Sequence, residues 1–176
     1  MKSRIRTGLL LIGWLVVAGG LSAASGTLAV GDPAPPFSLP DQDGVIHNLL
    51  DYSGQKVLVY FYPKDDTPGC TKEACGLRDA YTDYQAANIV IFGISFDTPE
   101  SHQQFREKYH LPFTLLSDLD KKVATAYGTK GIYPLAIRRS FLINEQGRII
   151  KIVTDVDVTS HSEDVLRYFR EADVQP

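Results

Sequence analysis

The sequence predicts an α/β fold: a mixed central sheet flanked by helices, with an N-terminal hairpin. Three observations predict it. Continuous apolar, β-rich runs at Lys56–Tyr62 and Ile89–Phe96 read as strands buried on both faces. Segments of helical periodicity separate and follow them, so these strands pair in parallel through helical crossovers. Two late β-rich runs around Glu145-Gln146-Gly147 read as a second hairpin, which adds antiparallel strands.

The elements follow in order from local chemistry. Gly31–Gly44 is Pro-rich, an extended arm that ends in a turn at Asp43-Gly44. Phe37 and Leu39 alternate before that turn and Val45–Leu49 follow it, giving the small first hairpin. Pro63 ends the Lys56–Tyr62 strand, and residues 64–69 form a loop. A helix opens at Pro68, a residue suited to a first turn, and Ala74, Leu77, Tyr81 and Tyr84 recur at helical spacing. After the Ile89–Phe96 strand, Thr98-Pro99-Glu100 starts the next helix, with Phe105 and Tyr109 on one face. Phe113–Leu116 is a short strand and Leu119–Tyr127 a short helix. Ser140–Asn144 and Arg148–Thr154 form the late hairpin. Ser160 and Glu163 have the spacing of a capping box, opening a last helix to about Ala172. A thioredoxin-like fold is the simplest architecture with this order, although the order alone also fits other small α/β sandwiches.

Residues 1–24 stand apart. Lys2, Arg4 and Arg6 precede the apolar run Gly8–Leu21, and small residues follow from Ser22 to Gly26, the order of a secretory signal peptide. Cleavage after Ser22-Ala23-Ala24, or after Thr27-Leu28-Ala29, would release the domain. An uncleaved span over residues 8–24, short but within spanning range, would anchor it to the membrane. Both readings export the folded part, residues 30–176, which in a bacterium means the periplasmic side. The chain carries 18 basic and 21 acidic residues, and three of the basic ones lie in this leader. The remaining acidic domain has no basic stripe, which argues against nucleic acid or an anionic membrane surface as partner. Two cysteines are too few for a disulfide scaffold or a four-thiolate zinc site, but enough for redox chemistry. His47, His102, His110 and His161 share no ligand spacing and read as solvated or capping residues. Phosphate-loop, dinucleotide and calcium-loop patterns are absent from the sequence, so no cofactor or metal is expected.

The chemistry concentrates between Pro63 and Cys75. Cys70 follows a buried strand and falls in the first turn of a helix, where unpaired backbone N–H groups favour thiolate over thiol. Thr67 offers a hydroxyl three residues earlier, and Pro63 and Pro68 stiffen the loop. A plain buried cysteine remains open as the alternative. Cys75 lies five residues on, about 140° around the helix and about 7.5 Å along it. A disulfide wants Cα atoms within about 7 Å, so a bridge would require the first turns to unwind. The alternative is two unrelated thiols.

The segment PKDDTPGCTKEACGLRD resembles the peroxiredoxin signature Pro-x-x-x-Thr-x-x-Cys, with Pro63, Thr67 and Cys70 in its three fixed places. The Cys-x4-Cys continuation and ACGLRD are similar to the bacterioferritin comigratory protein branch, also called peroxiredoxin Q. IFGISFDTPESHQQFREKYHLPFTLLSD and IRRSFLIN extend the likeness over nearly the whole exported domain. The resemblance implies a thioredoxin-like fold and a thiol-dependent peroxidase acting on hydrogen peroxide and organic hydroperoxides. It implies Cys70 as the peroxidatic cysteine, Thr67 as the hydroxyl that positions the peroxide and Pro63 as the shield of the thiolate. It assigns the arginine three residues before the strand Phe141, namely Arg138 rather than its neighbour Arg139, and only one of two strand neighbours can face Cys70. It implies Cys75 as the resolving cysteine, with a Cys70–Cys75 disulfide after a sulfenic acid. Glu73 sits where family members have a group that orients the arginine. A thioredoxin-like dithiol reductant is the implied partner, and a monomer the implied state. Two further readings use the same residues: a protein thiol–disulfide exchanger, which Cys-x4-Cys and Thr67 disfavour, and a non-catalytic exported binding module.

Overall fold

A short antiparallel pair, β1 (Ser38–Pro40) and β2 (Ile46–Asn48), opens the computed structural model, which describes residues 27–131 and 134–174. The leader read at residues 1–24 lies outside the described residues. A 3₁₀ turn at Leu49–Tyr52, not foreseen in the sequence, follows the pair. Then come β3 (Lys56–Phe61), α1 (Pro68–Asp79), α2 (Tyr81–Ala86), β4 (Ile89–Ser95) and α3 (Pro99–Tyr109). β5 (Thr114–Ser117), α4 (Lys122–Ala126), β6 (Arg139–Ile143), β7 (Ile149–Val153) and α5 (His161–Val174) complete the order. The five-stranded sheet runs β5-β4-β3-β6-β7, with β3, β4 and β5 parallel and β6 and β7 antiparallel. This is the expected mixed sheet with helices on both faces.

Strand β3 divides the core by parity, because alternate side chains leave opposite faces of a sheet. Val57, Val59 and Phe61 face one side, with Phe37, Leu39, Leu49, Val123, Tyr127 and Phe141. Leu58, Tyr60 and Tyr62 face the other, with Cys70, Ala74, Leu77, Tyr84, Phe105 and Phe169. The hairpin and α4 therefore cover one face, and α1, α2, α3 and α5 the other. Each fully buried large side chain contributes about 1.5–3 kcal/mol. On the helix-rich face β4 carries Gly93 opposite Tyr60, where a Cβ would lie 2.7 Å from the Tyr60 ring and 2.9 Å from Leu115.

Three local expectations are corrected. The helix read from Pro68 through Tyr84 is two helices, because Ala80 leaves helical geometry (φ −97°, ψ 8°). Beyond the break Tyr84 is buried and donates to the Ser162 carbonyl at 2.9 Å. The helix expected from Leu119 starts at Lys122 instead. Lys121 is left-handed (φ 59°), and the buried Asp118 carboxylate caps the first turn by accepting from Val123 and Ala124 at 3.3 and 2.7 Å. The Ser160–Glu163 capping box does not form: the Ser160 N–H donates to the Asp157 carbonyl at 3.2 Å rather than to Glu163, and the Ser160 hydroxyl donates to Asp164 at 2.8 Å.

Candidate active site

Cys70 is buried in the first turn of α1, directly beyond the C-terminal end of β3. Pro68 occupies the first helical positions, and Thr67 precedes it in extended conformation (φ −91°, ψ 150°). Thr67 makes no side-chain cap; its hydroxyl donates to the Lys64 carbonyl at 3.0 Å. Pro63 stands half-buried between β3 and the loop.

The register of β6 brings an arginine to this point. β6 runs antiparallel to β3 with Ser140 opposite Tyr60 and Arg139 opposite Phe61. By alternation Arg138 shares the face of Ser140 and Tyr60, which is the face that carries Cys70. Arg138 Nη2 lies 3.1 Å from Cys70 Sγ, and Nη1 is paired with Glu73 Oε2. Arg139 points elsewhere, its Nη1 3.4 Å from the Gly128 carbonyl. Burial opposes the charge of Arg138, but the Glu73 carboxylate and the Cys70 sulfur outweigh it and hold the guanidinium above its ordinary value. Glu73 is buried one turn after Cys70 on α1, so both face β6. Its second oxygen lies 3.1 Å from His161 Nδ1 on α5, without hydrogen-bond geometry. His161 Nε2 is 2.8 Å from Ser140 Oγ. The Tyr60 phenol is pushed well above its usual value by burial and by Glu73, so it stays protonated.

The loop before Cys70 is pinned at two points that sequence reasoning missed. Buried Asp65 accepts from Tyr62 OH and Ser101 Oγ, both at 2.7 Å, and lies 2.9 Å from His102 Nδ1. Its backbone N–H donates to Asp97 at 2.9 Å, and Asp97 also accepts from Ser95 Oγ at 2.7 Å. Asp66 turns into the left-handed region (φ 55°) and its carboxylate meets Lys108 and Tyr109 at the far end of α3. Lys108 and the Tyr109 hydroxyl, with burial a minor opposing effect, hold Asp66 below the usual carboxylate value.

Cys75 is half-buried on the continuous α1, and both cysteines are free thiols. Arg78, one turn on, donates to the Tyr109 carbonyl at 2.8 Å. Its hydrogen bond to Asp79, and to a lesser degree the Cys75 sulfur, raise it above the ordinary arginine value.

The structure thus brings Cys70, Arg138 and Glu73 into contact, and places Thr67 and Pro63 in the loop leading to them. Cys75 lies further along α1. The reading of the histidines needs correction: His102 and His161 are buried and partnered, and His47 lies between Asp41 (2.8 Å) and Tyr52 (2.6 Å). The partners of His102 and His161 are distant in the chain, so local spacing carried no signal for them. Among the described residues no cluster of His, Cys, Asp and Glu could hold a metal.

The chain matches the family model described as AhpC/TSA family over residues 30–152. A curated relative, "Putative peroxiredoxin bcp" of Coxiella burnetii, is 46% identical over 151 residues, covering 80% of this chain and 97% of the relative. "Peroxiredoxin Bcp" of Escherichia coli K12 is 47% identical over 151 residues, covering 82% and 97%. Among solved structures, a PrxQ mutant of Xylella fastidiosa superposes with a TM-score of 0.78 at 28% identity, covering 85% of this chain and 99% of that one. The bacterioferritin comigratory protein of Xanthomonas campestris, described for its alkyl peroxide reduction activity, superposes with a TM-score of 0.73 at 29% identity, covering 77% and 91%.

Proposed function

The chain belongs to the AhpC/TSA family, among the Bcp and PrxQ peroxiredoxins, and on that premise we propose how it works as a thiol peroxidase: Cys70 is the peroxidatic cysteine and Cys75 resolves it. The observation that carries the reading is the 3.1 Å approach of Arg138 Nη2 to Cys70 Sγ at the start of α1. A guanidinium and a helix N-terminus both favour a thiolate there. The thiolate attacks one peroxide oxygen. A sulfur–oxygen bond forms as the oxygen–oxygen bond breaks, leaving Cys70 as sulfenic acid and an alkoxide or hydroxide that takes up a proton. Arg138 supplies a fixed charge and a forked donor to the departing oxygen. Thr67 commits its own proton to the Lys64 carbonyl, so its oxygen is left to accept from the peroxide O–H.

Cys75 sulfur then attacks Cys70 sulfur, forming the disulfide and releasing water. The helical spacing of about 7.5 Å along the axis requires α1 to unwind between Pro68 and Cys75 for this step. Oxidised protein should therefore lose amide exchange protection over that stretch. An external dithiol, thioredoxin-like by the family resemblance, returns both thiols by two exchange steps. The leader at residues 1–24 supports an exported enzyme whose reductant acts outside the cytoplasm; fractionation of cells carrying the full chain tests this. The test of the mechanism is one turnover of reduced protein with peroxide. Wild type should consume one equivalent and lose two thiols, Cys70→Ser none, and Cys75→Ser should stop at a trappable sulfenic acid. Cys75→Ser cycling as fast as wild type with a dithiol would remove Cys75 from the mechanism.

A further inference from the structure

Behind Cys70, three buried polar atoms lack a hydrogen-bond partner among the described residues: Glu73 Oε1, His161 Nδ1 and Tyr60 OH. Two of them face each other at 3.1 Å, on side chains only 0% and 2% exposed. Neither can turn to water. His161 Nε2 is fixed against Ser140 Oγ on β6, and the Tyr60 ring on β3 lies 6.2 Å from the imidazole. From α1 the imidazole meets Glu73, with Arg138 and Cys70 beyond it. On its own helix Asp164 is the remaining charge that senses it.

Two bare acceptors 3.1 Å apart in a dry interior repel each other, so one of them carries a proton even though the contact lacks hydrogen-bond geometry. Arg138 holds the other oxygen of Glu73 and favours the carboxylate, which puts that proton on His161 Nδ1. Charge then has to balance. With Cys70 as a thiol, Arg138 and Glu73 cancel. Ionising Cys70 adds a negative charge to a buried site, a costly state. A second proton on His161, at Nε2 with the Ser140 hydroxyl turned to accept it, restores neutrality.

We propose that His161 is a positioning residue of the peroxidase site: it holds Glu73 against Arg138 and gains a proton as Cys70 loses one, so that thiolate and imidazolium form together. The inference rests on reading Cys70 as the peroxidatic cysteine. Coupling of this kind is reciprocal. Removing the imidazole makes the thiolate harder to form, and removing the thiol makes the imidazolium harder to form.

The experiment has two arms, both on the whole protein. In the first, the rate of peroxide reduction is followed against pH for wild type and His161→Gln. The rising limb should move to higher pH by about one unit, lowering the rate about tenfold below it. A purely structural role would lower thermal stability and leave the limb in place. In the second, NMR follows the His161 imidazole through pH in reduced wild type and in Cys70→Ser. The imidazole should lose its proton at lower pH in Cys70→Ser. This arm needs no substitution at His161 and decides the matter if His161→Gln does not fold. An unmoved limb, or identical imidazole titrations in the two proteins, overturns the inference. Peroxidase turnover surviving in Cys70→Ser would instead overturn the functional reading on which it rests.

Discussion

Asp65 and Glu73 are both buried carboxylates in the segment around Cys70, yet their neighbours treat them differently. Asp65 has two hydroxyl donors at 2.7 Å and an imidazole at 2.9 Å, and its own N–H is bonded to Asp97. At the edge of that cluster only His102 Nε2 lacks a partner among the described residues. Glu73 has one oxygen on Arg138 and the other in an incomplete contact with His161, beside an unpartnered phenol. A satisfied cluster fixes a backbone, because every departure leaves a desolvated donor or acceptor behind. An unsatisfied one keeps a donor or acceptor free to meet a new charge. The first fits the loop that must hold Thr67 and Cys70 in place. The second fits the sulfur whose charge appears and disappears in each cycle.

The comparison breaks most readily at Asp65. Asp65→Ala strands Tyr62 OH and Ser101 Oγ and removes a partner of His102, so denaturant unfolding should show a loss of about 3–5 kcal/mol. Peroxidase activity should fall in parallel with the folded fraction. Arg138→Lys comes next. It keeps the charge but loses the fork that spans Glu73 and Cys70, and the rate constant with peroxide should drop about 100-fold with the fold intact. Glu73→Gln is milder. Gln still offers a carbonyl to Arg138, whose side chain is one-fifth exposed, so stability should fall by about 1–2 kcal/mol and the rate about tenfold. A Glu73→Gln protein as unstable as Asp65→Ala would make both carboxylates scaffold and remove the contrast.

The parts of this arrangement that could be read from the sequence are those governed by local period. The apolar runs at Lys56–Tyr62 and Ile89–Phe96 became β3 and β4, and strand alternation lets only one of Arg138 and Arg139 face Cys70, the choice of Arg138 coming from its spacing to Phe141 in the family resemblance. The place of Cys70 in a first helical turn follows from Pro68. What escaped depends on pairs far apart in the chain. His161 sits in a serine-rich stretch that looks like a cap, and only the packing of α5 on α1 brings it to Glu73. His102 looks like one polar residue of an amphipathic helix until Asp65 reaches it across the loop. The start of α4 was misplaced because a lysine took a left-handed conformation that side chains rarely adopt.

The finest test of the comparison uses two tyrosines. Tyr60 and Tyr62 share one face, both fully buried, with ring centroids 5.4 Å apart and planes inclined by 26°. Both rings belong to the same core cluster, and substitution to Phe keeps the ring, so it isolates the hydroxyl. Tyr62 OH donates to Asp65 at 2.7 Å, and losing it leaves a buried carboxylate short of a donor. Tyr62→Phe should cost about 1 kcal/mol. Tyr60 OH has no partner among the described residues, so its desolvation is uncompensated there. Tyr60→Phe should therefore leave stability unchanged or raise it by a few tenths of a kcal/mol, about the resolution of urea midpoints at constant m. Equal losses in the two variants would mean that the Tyr60 phenol is bonded in solution. The cluster behind Cys70 would then be as complete as the one that holds the loop, and its readiness to change charge would need another source.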